Sequence, residues 1–156
     1  MKRLIFLFSI ILFSGIVDAA SLAKWRYPNG IPTLSSSGNS DLYIALINHK
    51  TWLFSLLDLR DSSEPESACY KNPSPEIRDI SPAKINGKYV KMISICIGNG
   101  SGILQPKTVD GKAYFNNLVS SGNRIDMVLS DTTSISFPAS DINEMRNKSD
   151  ALNSAM

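Results

Sequence analysis

The sequence predicts an α+β fold: a mainly antiparallel sheet of about five to seven strands, two helices in the C-terminal half, and one disulfide. Three observations carry this. Asn86-Gly87 sits between two strand-like segments, apolar stripes of helical period appear only after residue 108, and the chain has two cysteines, Cys69 and Cys96. Strand-rich stretches early and helices late point to a sheet with helices gathered on one face or at one end.

In chain order, Met1-Lys2-Arg3 precedes an apolar run from Leu4 to Val17, broken only by Ser9, Ser14 and Gly15. Val17-Asp18-Ala19-Ala20 then offers a small-x-small cleavage site. This is the pattern of a signal peptide over residues 1–19, cut between Ala19 and Ala20. A membrane anchor would need roughly 20 apolar residues, which the run falls short of. No cysteine near the cut offers a lipid-attachment site, and no later stretch is long and apolar enough to span a membrane. The expected location is periplasmic or secreted.

Removing 19 of the 156 residues leaves 137, enough for one domain with a real core. Losing Lys2, Arg3 and Asp18 takes the 16 basic and 14 acidic groups to 14 and 13, a net charge of +1. Such a near-neutral surface argues against nucleic acid as the main partner.

Residues 20–40 are rich in Ser, Gly, Pro and Asn, with Trp25, Tyr27, Ile31 and Leu34 scattered without a period. They are expected to form a mobile or loosely docked arm before a single α+β domain over 41–156. Trp25 and Tyr27 either anchor a partner or dock on their own domain, the commoner fate of such residues.

From Asp41 to Leu59, Leu42, Ile44 and Leu46 alternate with Tyr43, Ala45 and Ile47, and Asn48-His49-Lys50 interrupts the run. A hairpin with a short polar turn is predicted, with Trp52, Phe54 and Leu56 in the core; a buried helix is the competing reading. Arg60 to Pro75 reads as a loop. Its acidic stretch Asp61-Ser-Ser-Glu-Pro-Glu66 lacks the alternating oxygen ligands of a calcium loop, so a solvated loop is expected.

Asn86-Gly87 accepts positive φ at both central positions, as a two-residue type I′ hairpin requires. Pairing across it puts Ile85 opposite Lys88, Ala83 opposite Val90 and Ile80 opposite Ile93. The second arm places Tyr89, Lys91, Ile93, Ile95 and Ile97 on one face and Val90, Met92, Ser94 and Cys96 on the other. Apolar groups on both faces suggest a central strand, covered on both sides toward its end. Pro82 cannot donate to a ladder, so the first arm is expected at an edge or bulged there.

Gly98-Asn-Gly-Ser-Gly102 follows neither the dinucleotide nor the P-loop pattern and reads as a strand connection. Ile103-Leu104-Gln105 suits a short strand ended by Pro106. Thr108 can cap a helix to about Ser121, stopped by Gly122. A second hairpin pairs Ile125, Met127 and Leu129 with Ile135 and Phe137. Ser140 is the expected cap of a last helix whose stripe is Ile142, Met145, Ser149, Leu152 and Met156. In order of elements, with its single disulfide, the chain resembles small exported proteins of Gram-negative bacteria, including invasion-associated locus B-type proteins; no function or residue is carried over from that likeness.

Two cysteines in an exported chain point to a bridge, Cys69 to Cys96, closing a 28-residue loop. No catalytic, cofactor-binding or metal-binding set stands out. His49 is the one histidine, which excludes two-histidine metal motifs and leaves a catalytic dyad without an obvious partner. No serine sits in a nucleophile elbow. The function this implies is a small, non-catalytic accessory or interaction protein that binds another protein or an envelope component. One alternative is an exported inhibitor or exclusion factor encoded by a mobile element, acting through a rigid loop such as Asp61 to Ser67. Another is a carboxylate-dependent hydrolase of an envelope polymer.

Overall fold

A computed structural model describes residues 22–38, 41–71, 75–98 and 101–154. The expected signal peptide over residues 1–19 and the Ala19-Ala20 cleavage point lie outside the described residues.

Eight strands form in chain order: β1 (Thr33–Ser35), β2 (Leu42–Asn48), β3 (Leu53–Asp58), β4 (Glu76–Ile85), β5 (Lys88–Gly98), β6 (Ser101–Pro106), β7 (Ile125–Val128) and β8 (Ser134–Phe137). Helix α1 (Val109–Ser120) lies between β6 and β7, and α2 (Ile142–Ser154) follows β8. The strands pair antiparallel in the order β1-β2-β3-β6-β5-β4-β7-β8. Just beyond β1, Ser37 exchanges two backbone hydrogen bonds with Ser136 of β8, at 2.7 and 3.3 Å. The sheet therefore curls almost into a closed barrel, which leaves little free edge.

The expected five to seven strands become eight because β1 arises in the stretch read as an arm. Thr33-Leu34-Ser35 is too short to show a period, but it pairs with β2 and buries Leu34. Residues 22–37 are docked rather than loose. Trp25 is buried and stacks at 6.1 Å on Phe54, and Ala23 bonds to Ala139.

The hairpin turn forms with Asn86 at φ 44° and Gly87 at φ 83°. Ile85 faces Lys88 and Ala83 faces Val90, but Ile80 faces Met92, not Ile93. The slip is a bulge between Ile80 and Ala83, where Pro82 lacks its N–H. β4 is not an edge strand, although only its last two residues, Lys84 and Ile85, pair with β7. β5 is central but covered on one face only: Val90, Met92, Ser94 and Cys96 are buried, whereas Ile97 is 50% exposed.

The inward faces make one core, including Leu42, Ile44, Phe54, Leu56, Ile85, Met127 and Phe137. Trp52, expected in the core, packs half-buried against its edge from the β2–β3 turn, at φ 49° and beside His49. Thr108 caps α1 by accepting from Gly111 N–H, and Gly122 turns left-handed at φ 69°. The cap of α2 is Asp141 rather than Ser140. Its carboxylate accepts from the N–H groups of Asn143 and Glu144, while Ser140 is spent in backbone pairing with Gly122. Ile142, Met145 and Ser149 face inward, and Leu152 is 38% exposed.

Candidate functional site at the barrel mouth

The two ends of the barrel are closed differently. At one end α1 lies over the strand termini and sends Phe115 and Val119 into the core. Tyr114 Oη donates to Ile85 O at 3.0 Å, and Phe54 N–H donates to Asn116 Oδ1 at 3.0 Å. At the other end the strands are spanned by the loop after β3, whose described part is residues 59–71.

That loop is held by polar chemistry. Asp58 ends β3 on the same inward face as Phe54 and Leu56, since side chains alternate. It is fully buried, and so is Arg60 two residues later. Arg60 Nε and Nη2 donate to the two Asp58 oxygens, each at 2.9 Å, and the Arg60 and Ala68 N–H groups also donate to that carboxylate. Four donors on one carboxylate meet the demand a buried charge makes. Arg60 donates further to Glu66 O, and its Nη1 lies 3.5 Å from the Glu66 carboxylate. Arg78 on β4 donates to Ala68 O at 2.8 Å.

Cys69, next along, meets Cys96 of β5 at disulfide distance, with the Cα atoms 4.8 Å apart. Gly102 explains how the loop sits so low. A Cβ there would stand 2.3 Å from the Ala68 Cβ, so only glycine lets Ala68 nest against β6.

Glu66 is fixed from the far side. Its oxygens accept from the hydroxyls of Ser130, Thr132 and Thr133 in the β7–β8 turn. Burial pushes the Glu66 carboxyl up, but those of Ser130 and Thr132, and then the Arg60 guanidinium, outweigh it. The group ends below the ordinary glutamate value. The acidic stretch expected to be solvated is thus divided. Asp61 to Pro65 are exposed, while Glu66 turns back to clamp the mouth.

Beneath the loop lies a cavity of about 410 Å³. Met92, Ser94, Leu104 and Ala83 form its inner wall, and Leu129 and Arg78 stand at its rim. Its origin is traceable to the sequence. The β4 bulge and Pro82 stop the β4–β7 ladder at Lys84, so the sheet gapes beside Ile80 and Ser81. Small residues on the inner wall fail to fill the space. Ser94 Oγ is fully buried and has no hydrogen-bond partner among the described residues. A cavity of this size at a barrel mouth is a usual setting for a small ligand.

Sequence reading missed Asp58, Arg60, Glu66 and Ser94. The signal for the first pair was present: an acid at a core-facing strand position needs a cation close by. Ser94 was likewise the one polar side chain between Val90, Met92 and Cys96. His49, read as partnerless, lies 2.8 Å from Asp150 of α2. That pair is on the surface, at the β2–β3 turn and α2 rather than at the mouth, and among the described residues no nucleophile is bonded to it. Among the described residues no cluster of three or more His, Cys, Asp or Glu could hold a metal, and no helix is long and apolar enough to cross a membrane.

The outer wall carries a second feature. Ile77, Ile95, Ile103, Leu57 and Tyr43 face one another across β4, β5, β6, β3 and β2, and Ile77 is 68% exposed. No protein-family model matches the chain, and neither curated proteins nor solved structures yield a match.

Proposed function

We propose that this is a small exported accessory protein of the cell envelope, non-catalytic, which binds an envelope component or partner group in its barrel mouth. Export rests on the N-terminal leader pattern. Binding rests on one observation: a ready-formed cavity lined by Ser94, whose buried Oγ has no hydrogen-bond partner among the described residues. A buried hydroxyl without a partner is unfavourable, and a ligand that supplies one recovers the loss.

The hydrolase alternative would use a carboxylate pair in a cleft. Asp58 and Glu66 do stand beside this one, but their chemistry fits poorly. The Asp58 oxygens are taken up by four donors and leave none for a substrate, and Glu66 is held ionised by the hydroxyls it accepts from, so Glu66 does not suit a general acid near neutral pH. The inhibitor alternative retains the exposed tip Asp61 to Pro65, pinned at its base and so rigid enough to enter a partner's cleft.

The test is native mass spectrometry of the protein purified gently from an envelope fraction. A bound molecule present in the wild type and lost in Leu129→Trp, which crowds the rim, supports the reading. Release of soluble fragments from envelope polymer, abolished by Glu66→Gln, would move the assignment to the hydrolase. A protein partner that survives Leu129→Trp but is lost in Ile77→Glu would place recognition on the outer wall instead.

A further inference from the structure

We infer that the ligand of this mouth is an uncharged, mainly apolar molecule carrying one hydroxyl or carbonyl group, bound with that group on Ser94. The inference rests on the reading of the mouth as a binding site and narrows its chemistry. Two observations carry it.

The first is charge. Among the described residues, every ionised group lining the cavity already has a partner. Asp58 and Glu66 share Arg60, with Glu66 also met by the hydroxyls of Ser130, Thr132 and Thr133; Arg78 lies 3.7 Å from Glu76, and Asp79 is 2.7 Å from Lys107. A charged ligand would enter a partly desolvated space where, among the described residues, no unpartnered opposite charge meets it, which is unfavourable. A neutral ligand meets no such penalty.

The second is the pattern of the wall. Met92, Leu104, Ala83 and Leu129 are apolar, and the polar atom left unsatisfied on the inner wall is the Ser94 hydroxyl. A hydroxyl both donates and accepts, so it can bond an alcohol or a carbonyl equally. An apolar body with a single hydrogen-bonding group thus fills the site without leaving a buried polar atom unpaired.

The experiment compares three probes of one chain length, decanol, decanoate and decylammonium, by isothermal titration calorimetry against the wild type, Ser94→Ala and Leu129→Trp. Decanol is expected to bind most tightly. Ser94→Ala removes the hydroxyl and adds no bulk to the wall, so it should weaken decanol about three- to tenfold. The same change should leave the melting temperature unchanged or raised, because it also removes an unsatisfied buried group. That pairing separates loss of a ligand contact from damage to the fold. Leu129→Trp should weaken all binding.

Tighter binding of decanoate or decylammonium, still lost in Leu129→Trp, would overturn the inference while leaving the mouth as the site. Binding that ignores Leu129→Trp would overturn both. Decanol binding undiminished in Ser94→Ala would overturn the role of that hydroxyl, and with it the inference.

Discussion

The helix-covered end and the mouth of this barrel are built from the same strands but held by different forces. At the helical end Phe54, Phe115 and Phe137 are fully buried, and the stabilisation is area removed from water. At the mouth the inward positions are Asp58, Ser94, Gly102 and Cys96, and the stabilisation is an ion pair, hydroxyl clamps and a covalent bridge. Apolar packing tolerates no gap. Directional contacts at the rim leave one. The mouth is where a ligand can enter because its closure does not depend on filling space.

The sharpest way to break this contrast is to remove one member of each closure. Asp58→Ala leaves buried Arg60 with only the more distant Glu66 carboxylate and should cost about 3–5 kcal/mol. Phe115→Ala should cost a similar ~3–5 kcal/mol through the cavity it leaves. The two differ in rescue. Adding Arg60→Met to an Asp58→Leu background should restore most of the loss, since an apolar pair of similar volume can replace an ion pair. Urea unfolding of the set measures all of these. Equal loss in the paired and single mouth variants would show that the ion pair is not what holds that end.

Next in size is the bridge. Cys69 and Cys96 are 27 positions apart. Replacing both with serine should cost roughly 3–4 kcal/mol, mainly by freeing the unfolded chain. Hydrogen exchange should rise first at Ser67 to Tyr70 and last at α1. Uniform exchange across both ends would dissolve the distinction drawn between them.

The smallest expected effect is acid sensitivity. The Glu66 carboxyl lies below its ordinary value when folded. Its contribution is therefore fully present above the unfolded glutamate value of about 4.3 and is lost as pH falls through the folded one. The stability gap between wild type and Glu66→Gln should be constant above about pH 5 and close below about pH 4. A gap that stayed open into acid would mean that Glu66 is not clamped as a carboxylate.

Much of the fold was legible because it is local. Asn86-Gly87 specified its turn through the positive φ that both residues accept, and two of the three pairs inferred across it are present. Thr108 and Gly122 bracket α1 through backbone needs of a helix end. The third hairpin pair slipped by one residue because Pro82 forces a bulge, and sequence indicates that a ladder is disturbed without giving the direction of the shift.

What sequence by itself determined were the elements whose cause lies within a few residues: the Asn86-Gly87 turn, the first helix and its caps, and the alternation that sends Phe54, Leu56, Met92 and Met127 inward. What only the tertiary structure decided were the pairings that depend on distant chain. Thr33-Leu34-Ser35 is a strand because β2 supplies its partners. Asp58 can be buried because Arg60 and the Ala68 N–H reach it, and Ala68 can reach it because Gly102, its neighbour on β6 and far along the chain, carries no side chain. The physical reason is that a residue's own preferences fix its backbone within its neighbourhood, whereas the cavity is set by which side chains from separate strands fail to meet.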